Sequence, residues 1–260
     1  MEAITQSMLG MFLRCPHQFE RRYLRGEIIP PGIAARRGSA THKAAQVNHE
    51  QKLHTQEDLP VDDLQDAARD HYVRLVKEEG VFLSKDQLPE KEKLLSAGLD
   101  AAVRLTRLYR ESLAPAIQPA LVEEKLTLEV GLDLPLQGTI DVLTLDNWLP
   151  DLKTADKSKG SGEADHSLQL TFYAGLVAQH LGRWPERISL EILVNTKEPK
   201  LQSLSTKRGP EDWANLLLRV EVLLEQIQAG IFPPCDPGAW VCSPTWCGYF
   251  WTCQYSIKRR

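Results

Sequence analysis

The sequence predicts an α/β fold in which a central mixed β-sheet is flanked by helices, with a helical N-terminal segment and a cysteine-rich C-terminal tail. Three observations predict it. Apolar residues recur at steps of three and four before residue 115 and again after residue 167, which is the spacing of amphipathic helices. Short apolar runs separated by turn residues lie between these regions and favour strands. Four of the five cysteines follow residue 234.

We expect one domain over residues 1–260, because no convincing linker interrupts the chain. Its three parts would be a mainly helical region (1–115), a sheet and helix that carry the active site (116–206), and a last helix with the cysteine tail (207–260). A content of 42% apolar and 25% charged residues excludes a disordered or fibrous chain. No apolar run approaches the roughly 18 residues of a membrane span, and the N-terminus lacks a signal pattern. We therefore expect a cytoplasmic protein with no membrane partner.

The N-terminal part is predicted to contain several helices. Ser7 can cap a short helix that stops before Cys15-Pro16, because a residue that precedes proline avoids helical geometry. Pro16 can then open a second helix. Gly38-Ser39 is expected to introduce a third helix, which carries His42. A further amphipathic helix has its apolar positions at Leu95, Leu99, Ala102, Leu105, Tyr109 and Leu113.

The character of the sequence changes after residue 120. The predicted strands cover residues 121–130, 136–145, 148–154 and 188–195, and the predicted helices cover 167–181 and 210–229.

A carboxylate and lysine constellation lies on two of these strands. Asp141 sits in an otherwise apolar strand, and an unpaired buried carboxylate costs several kcal/mol, so it needs a cation or a solvent-exposed strand end. Asp151 and Lys153 are two residues apart and point to one face of their strand. The carbonyl of Leu152 lies between them.

Phosphodiester hydrolysis uses such a set of groups. A divalent ion polarises the phosphate and activates a water, and a nearby ammonium stabilises the developing charge. Two carboxylates with a carbonyl suit Mg²⁺, which keeps several waters. His42 could add an imidazole ligand, which favours Mn²⁺. Asp-x-Lys alone is common, and a surface salt bridge at a strand end explains most of its occurrences.

The strand register imposes a condition on this site. A two-residue turn at Asp146-Asn147 would pair Asp141 with Leu152 and turn Asp141 away from Asp151, because a one-residue slip inverts a strand. An odd-length turn or a β-bulge is therefore expected between the two strands.

Five short motifs occur in one order along the chain, and together they resemble those of RecB-like nucleases in the PD-(D/E)XK superfamily. That family's motifs are S-x-L with C-P-x-x-F, G-x-x-x-H, G-x-x-D, D-x-K-T and Q-L-x-x-Y. The matching segments here are Ser7-Met8-Leu9 with Cys15-Pro16-His17-Gln18-Phe19, Gly38-Ser39-Ala40-Thr41-His42, Gly138-Thr139-Ile140-Asp141, Asp151-Leu152-Lys153-Thr154 and Gln169-Leu170-Thr171-Phe172-Tyr173.

The resemblance implies a restriction-endonuclease-like core and a role for each matched residue. His42, Asp141 and Asp151 would bind the catalytic Mg²⁺ or Mn²⁺, with the Leu152 carbonyl beside them. Lys153 would be the catalytic lysine, and the family role of Gln169 and Tyr173 is to position substrate or water. A further acidic residue, either Glu123 or Glu124, would complete the set.

The cysteines resemble the iron–sulfur branch of this family, which includes phage and bacterial exonucleases and CRISPR-associated relatives. The resemblance implies that Cys15, Cys242, Cys247 and Cys253 hold a [4Fe–4S] cluster that joins the two ends of the chain. Zinc is the alternative occupant, because four thiolates suit either. Cys235 is surplus and could replace Cys242.

The functional hypothesis is a metal-dependent DNA exonuclease of recombination, repair or phage DNA processing, acting on DNA with free ends. A net charge of −4 is compatible with it, because steering depends on local basic clusters, which include the tail Lys258-Arg259-Arg260. The alternative is a non-catalytic DNA-binding scaffold subunit of a helicase–nuclease or CRISPR adaptation complex. No helicase motif is present, so a helicase or recombination partner would be a separate protein.

Overall fold

The structure, a computed structural model, describes residues 1–257, so the basic tail at 258–260 lies outside the described residues. Helices dominate the first half of the chain, and most strands lie in the second half. The helices are α1 (Gln6–Arg14), α2 (Pro16–Phe19, continued by a π-helical turn at Glu20–Leu24), α3 (Ile33–Thr55), α4 (Val61–Glu79), α5 (Lys91–Ser112), α6 (Leu168–Leu181) and α7 (Pro210–Ala229). The strands are β1 (Ile4–Thr5), β2 (Pro119–Leu128), β3 (Leu136–Thr144), β4 (Trp148–Ala155), β5 (Arg187–Val194) and β6 (Lys200–Thr206).

The strands form two three-stranded mixed sheets. The first has the order β1-β3-β2, with β1 parallel and β2 antiparallel to β3. The second has the order β4-β5-β6, with β4 parallel and β6 antiparallel to β5. The α/β class with flanking helices is confirmed, and the expected central sheet is divided into two.

Two apolar cores hold the helices against these sheets. The larger core joins α6 and α7 to both sheets through residues such as Ile140, Leu170, Leu190 and Val220. The second core packs α3, α4 and α5 against the other side, around Tyr109 and Leu152. Because Leu152 faces the second core, its neighbours Asp151 and Lys153 face the side covered by α6.

The first helices differ in detail from the sequence prediction. Thr5, and not Ser7, caps α1, and its hydroxyl accepts a hydrogen bond from the Met8 amide at 3.3 Å. Helix α3 begins at Ile33, so Gly38-Ser39 lies inside the helix instead of introducing it. A Cβ at Gly38 would lie 3.3 Å from the Thr154 hydroxyl, so a larger residue would require Thr154 to shift. The glycine therefore lets α3 approach the end of β4.

The sequence analysis missed helix α4, strand β6 and the two-residue strand β1. Helix α4 carries its buried residues Leu64, Ala68, Tyr72 and Leu75 at steps of four and three, so the helical signal was present. Strand β6 alternates half-buried and exposed side chains and lacks a continuous apolar run.

The connection from β3 to β4 meets the register condition in an unexpected way. Residues 145–147 link the strands, which is an odd length, and Asn147 adopts a left-handed conformation at φ 59°. However, the two strands belong to different sheets, and within residues 1–257 no ladder pairs them. The connection thus has the expected odd length, but within these residues the strand pairing that the register condition presumed does not form.

No helix in the described part of the chain is long and apolar enough to cross a membrane.

Candidate active site and cysteine site

The carboxylate of Asp151 is the most enclosed group of the candidate active site. Asp151 is 5% exposed, and Lys153 Nζ lies 2.9 Å from its Oδ2 and 3.2 Å from its Oδ1. Gln169 Nε2, on the first turn of α6, donates to Oδ1 at 3.0 Å. Burial raises the pKa of Asp151 above its usual range despite the opposing charge of Lys153. A further cation near Asp151 would favour the ionised form.

Helix α3 brings His42 against both strands. Its Nδ1 lies 3.2 Å from Asp141 Oδ2, and its Nε2 lies 2.7 Å from the carbonyl oxygen of Leu152. Burial lowers the pKa of His42, but the hydrogen bond and charge of Asp141 outweigh it and raise the pKa overall. The same contact lowers the pKa of Asp141 against the effect of its own burial. An imidazole, a carboxylate and a carbonyl therefore converge beside Asp151.

The structure distinguishes between the two candidate glutamates. Glu123 lines a cavity together with His42 and Asp141, whereas Glu124 lines a separate hollow beside Gln179. Glu123 adopts a left-handed conformation at φ 50°, which is uncommon for a residue with a side chain. Partial burial and the charge of Asp141 raise the pKa of Glu123. Only Glu123 is thus placed to join the site.

Tyr173 lies one helical turn after Gln169 on the same face of α6. Burial, followed by the charges of Asp141 and Asp151, raises the pKa of Tyr173 to about 12, so its hydroxyl remains protonated. The ring packs over Gly138 of β3, where a Cβ would lie 2.9 Å from Tyr173 Cε1. Leu176 of the same helix is equally close, at 2.8 Å, so a side chain at the glycine of the G-x-x-D motif would displace Leu176 and Tyr173.

Similarity to known proteins supports the same interpretation. The profile of the PD-(D/E)XK nuclease superfamily matches residues 3–254. This chain belongs to that superfamily. Among solved structures, a protein named as a candidate exonuclease from Eubacterium rectale matches with a TM-score of 0.60 at 13% identity, covering 90% of this chain and 85% of its own. At that identity the likeness shows the shared fold.

A second solved structure is more distant. The protein named SSO0001 matches at 16% identity over 83% of this chain and 96% of its own, and its TM-score of 0.36 supports no conclusion. No curated protein is similar enough to this chain to count as a relative.

The residues of this superfamily member are suited to a hard divalent ion. Asp141, Asp151 and the Leu152 carbonyl supply oxygen atoms, which Mg²⁺ prefers. Asp151 Oδ2 is buried and, apart from its ion pair with Lys153, receives no well-directed hydrogen bond from the described residues. Within residues 1–257, no three or more His, Cys, Asp or Glu side chains are placed as the ligands of a single metal ion, whereas a cluster of several metal atoms needs its ligands farther apart. A Mg²⁺ ion here would therefore rely on the carbonyl and on waters.

Two site residues escaped the sequence analysis. Gln46 and His49 line the cavity beside His42, and the spacings of four and three residues place all three on one face of α3. Burial, followed by the charge of Lys52, lowers the pKa of His49 to about 4, so this imidazole is neutral. Its Nε2 lies 2.8 Å from the Tyr109 hydroxyl. The helical spacing from His42 was the signal that could have identified both.

All five cysteines line a single cavity between the N-terminal segment and the tail. Cys15 is the extended residue between α1 and α2. The amide of Cys235 donates to Cys15 Sγ at 3.4 Å, so the surplus cysteine lies as near to the site as the four expected ligands. The described cysteines form no disulfide. Burial raises the pKa values of Cys242 and Cys247, and raises that of Cys235 to about 12.

The tail is also held by contacts that involve no cysteine. The Tyr249 hydroxyl donates to the carbonyl of Glu27, and the Arg21 guanidinium lies 4.4 Å from the centre of the Tyr249 ring. Arg21 also donates to the Thr252 hydroxyl at 2.9 Å. Gly248 packs so closely on Ile29 that a Cβ would lie 2.4 Å from it. These contacts fix Cys247 and Cys253 opposite Cys15.

Proposed function

We propose that this chain is a metal-dependent DNA exonuclease, with His42, Asp141, Asp151 and the Leu152 carbonyl as ligands of Mg²⁺ or Mn²⁺. The observation that carries the proposal is the buried Asp151 carboxylate, held by Lys153 and Gln169 within reach of the His42–Asp141 pair. The superfamily supports nuclease activity, and the name of the Eubacterium rectale protein supports the exonuclease class.

Each residue of the site would have its own role in hydrolysis. A bound divalent ion would supply Lewis-acid stabilisation of the phosphate and a more acidic water. Lys153, whose side chain is 37% exposed beside a buried carboxylate, would donate to the phosphate oxygen on which charge develops. Gln169 holds Asp151 in place, and His42 lies between Asp141 and the Leu152 carbonyl. Glu123 lines the cavity beside His42, and Gln169 and Tyr173 would position substrate or water.

The cysteine cavity supports a second part of the proposal: a [4Fe–4S] cluster that ties the tail to the N-terminal segment. Five thiols line one cavity and supply the donor type of such a cluster, whereas zinc, the alternative, would need four of them drawn closer together. The raised thiol pKa values mean that ligand binding must release protons, so occupancy should fall in acid. Cys15, Cys242, Cys247 and Cys253 are the proposed ligands, and Cys235 is the candidate replacement for Cys242.

The biological setting proposed for this activity is DNA recombination, repair or phage DNA processing, in which DNA ends arise. A separate helicase or recombination protein is the proposed partner. A non-catalytic DNA-binding scaffold in a helicase–nuclease or CRISPR adaptation complex is the second candidate. The cysteine site is the observation that favours it, because such a site stabilises the fold whether or not the chain cuts DNA.

The deciding experiment compares end-labelled linear DNA with closed circular DNA, using anaerobically purified wild type, Lys153→Ala and Lys93→Ala. Lys93 is an exposed lysine at the start of α5, where it pairs with Glu90. It serves as the matched control. We expect wild type and Lys93→Ala to degrade linear DNA with Mg²⁺ or Mn²⁺ and to spare the circle, and we expect Lys153→Ala to be inactive.

Three results would contradict the proposal. Cutting of the circle would exclude a strict exonuclease. Cutting that survives a chelator would exclude the metal. A folded wild type that binds DNA and cuts neither form would favour the scaffold.

A further inference from the structure

An open groove adjoins the candidate active site on the side of Lys153. It runs between the ends of β4 and β5 and the segment 156–167, and Lys153 and Gln169 form its inner end. Leu190 and Ile192 contribute apolar surface to its wall. Nothing in the hydrolytic step described above uses the outer part of this groove.

The outer rim of the groove is mainly cationic or neutral. Lys159 and His166 line it, and the single acidic residue of the lining, Glu163, lies 3.3 Å from Lys159 Nζ. Both members of this ion pair are nearly half exposed, and such surface pairs contribute little stability. Lys159 can therefore exchange Glu163 for another anion at small cost.

The main chain of the groove wall is held in place although it has no regular secondary structure. Gln202 of β6 bonds the main chain of Lys159 twice, since its Oε1 accepts from the Lys159 amide at 2.8 Å and its Nε2 donates to the Lys159 carbonyl at 2.9 Å. Arg208 donates to the carbonyls of Ala164 and Ser167 at 2.6 and 3.3 Å. These hydrogen bonds hold the groove wall in one shape, which reduces the ordering cost of binding.

We propose that this groove binds a single strand of DNA next to the scissile phosphate, with Lys159 contacting a neighbouring phosphate. The inference rests on the proposed nuclease function and extends it to a binding site. An apolar wall below a cationic rim suits a nucleotide, whose base has an apolar face and whose phosphate is anionic. The shared residue Lys153 makes the groove continuous with the reacting centre. Gln202 acts as a positioning residue for Lys159.

The test measures binding of a fluorescent oligothymidylate of about 16 nucleotides, within the range of single-strand binding sites. A chelator is present so that the strand is not cut, and anisotropy is followed from low to high salt. Wild type is compared with Lys159→Ala, Lys159→Glu and the control Lys93→Ala. Loss of one phosphate contact should reduce the slope of log K against log salt by about 0.7 and weaken binding about fourfold at 0.15 M salt. Lys159→Glu should weaken binding about tenfold or more, because its charge is reversed.

Cleavage kinetics separate a binding role from a structural one. Lys159→Ala should raise KM about fourfold and leave kcat unchanged, since Lys159 does not contact the reacting phosphate. Gln202→Leu should raise KM in the same direction while its salt slope stays that of wild type, because the lysine charge is retained.

Equal salt slopes for Lys159→Ala and Lys93→Ala would overturn the groove, as would a wild type that fails to bind the strand. If wild type cuts DNA and Lys159→Ala behaves like wild type, the binding role of the groove is contradicted and the nuclease proposal stands. If Lys159→Ala weakens binding but wild type never cuts, the nuclease proposal fails and the groove stands.

Discussion

Helix α3 takes part in two charged clusters that differ in burial and in hydrogen bonding. Near its middle, His42 meets Asp141 and the Asp151–Lys153 pair. Near its C-terminal end, Lys52 is 2% exposed and bonds Asp58 at 2.9 Å and the Ala114 carbonyl at 2.8 Å.

In the second cluster, around Lys52, the buried polar groups bond one another. Asn48 donates to Asp58 at 2.7 Å and accepts from the Leu59 amide at 2.9 Å, so the cluster fastens the turn after α3 to its helix. In the first cluster, by contrast, Asp151 Oδ2 lacks a directed hydrogen bond and the pKa of Asp151 is raised. A buried polar cluster whose bonds are complete stabilises a fold, whereas one that is incomplete is a candidate for ligand binding.

The largest effect that separates the clusters is expected for Asp151→Asn. Loss of the carboxylate removes a proposed metal ligand, so kcat should fall by about 10³-fold or more. Because the raised pKa of Asp151 means that its ionised form destabilises the fold at neutral pH, the variant should keep or raise the Tm in chelator. Calorimetry with and without Mg²⁺ checks this.

The metal-induced rise in Tm seen for wild type should be absent in Asp151→Asn. A variant that loses several degrees in chelator would show that Asp151 belongs to a structural cluster like that of Lys52.

The opposite pattern is expected for Lys52→Met. Removing the ammonium leaves the largely buried Asp58 with Arg110, 3.9 Å away, as its remaining cation. The free energy of unfolding should therefore fall by about 3 kcal/mol, the lower end of the cost of breaking a buried pair. For a chain of this size the Tm should fall by about 6–12 °C. Specific activity of the folded fraction should stay at the wild-type value, and denaturant unfolding followed by a cleavage assay tests both. Loss of activity without loss of stability would show that Lys52 belongs to the catalytic site and not to a structural cluster.

The smallest effect concerns His49, which lies between the clusters. Its folded pKa of about 4 is below the ordinary value of 6.5, so the folded state binds the proton less tightly than the unfolded chain. The stability that neutral His49 contributes is present above pH 6.5 and is lost as pH falls through 4. The loss should reach about 2 kcal/mol by pH 5.

The control for this prediction is His49→Gln, whose stability should decline less between pH 6.5 and pH 5 than that of wild type. Parallel pH profiles for the two proteins would assign the acid sensitivity to the carboxylates instead.

Much of the local structure could be predicted from the sequence. The predicted strands over 136–145 and 148–154 match β3 and β4 within a residue, and the helix over 210–229 coincides with α7. Periodicity identifies such elements because one face must be buried. The start of α3 could not be predicted, because glycine disfavours the interior of a helix. The contact of Gly38 with Thr154 lies on a strand distant in the chain.

For the site, the sequence determined which chemical groups are available and which share a face: Asp151 with Lys153, and Gln169 with Tyr173. It also placed cysteines at both ends of the chain. Only the tertiary structure decided that Glu123 and not Glu124 faces His42, that Cys235 lies beside Cys15, and that Lys52 is buried while Lys159 lines a groove. The physical reason is that periodicity fixes direction relative to a single element, whereas burial, pKa and partnership depend on elements distant in the chain.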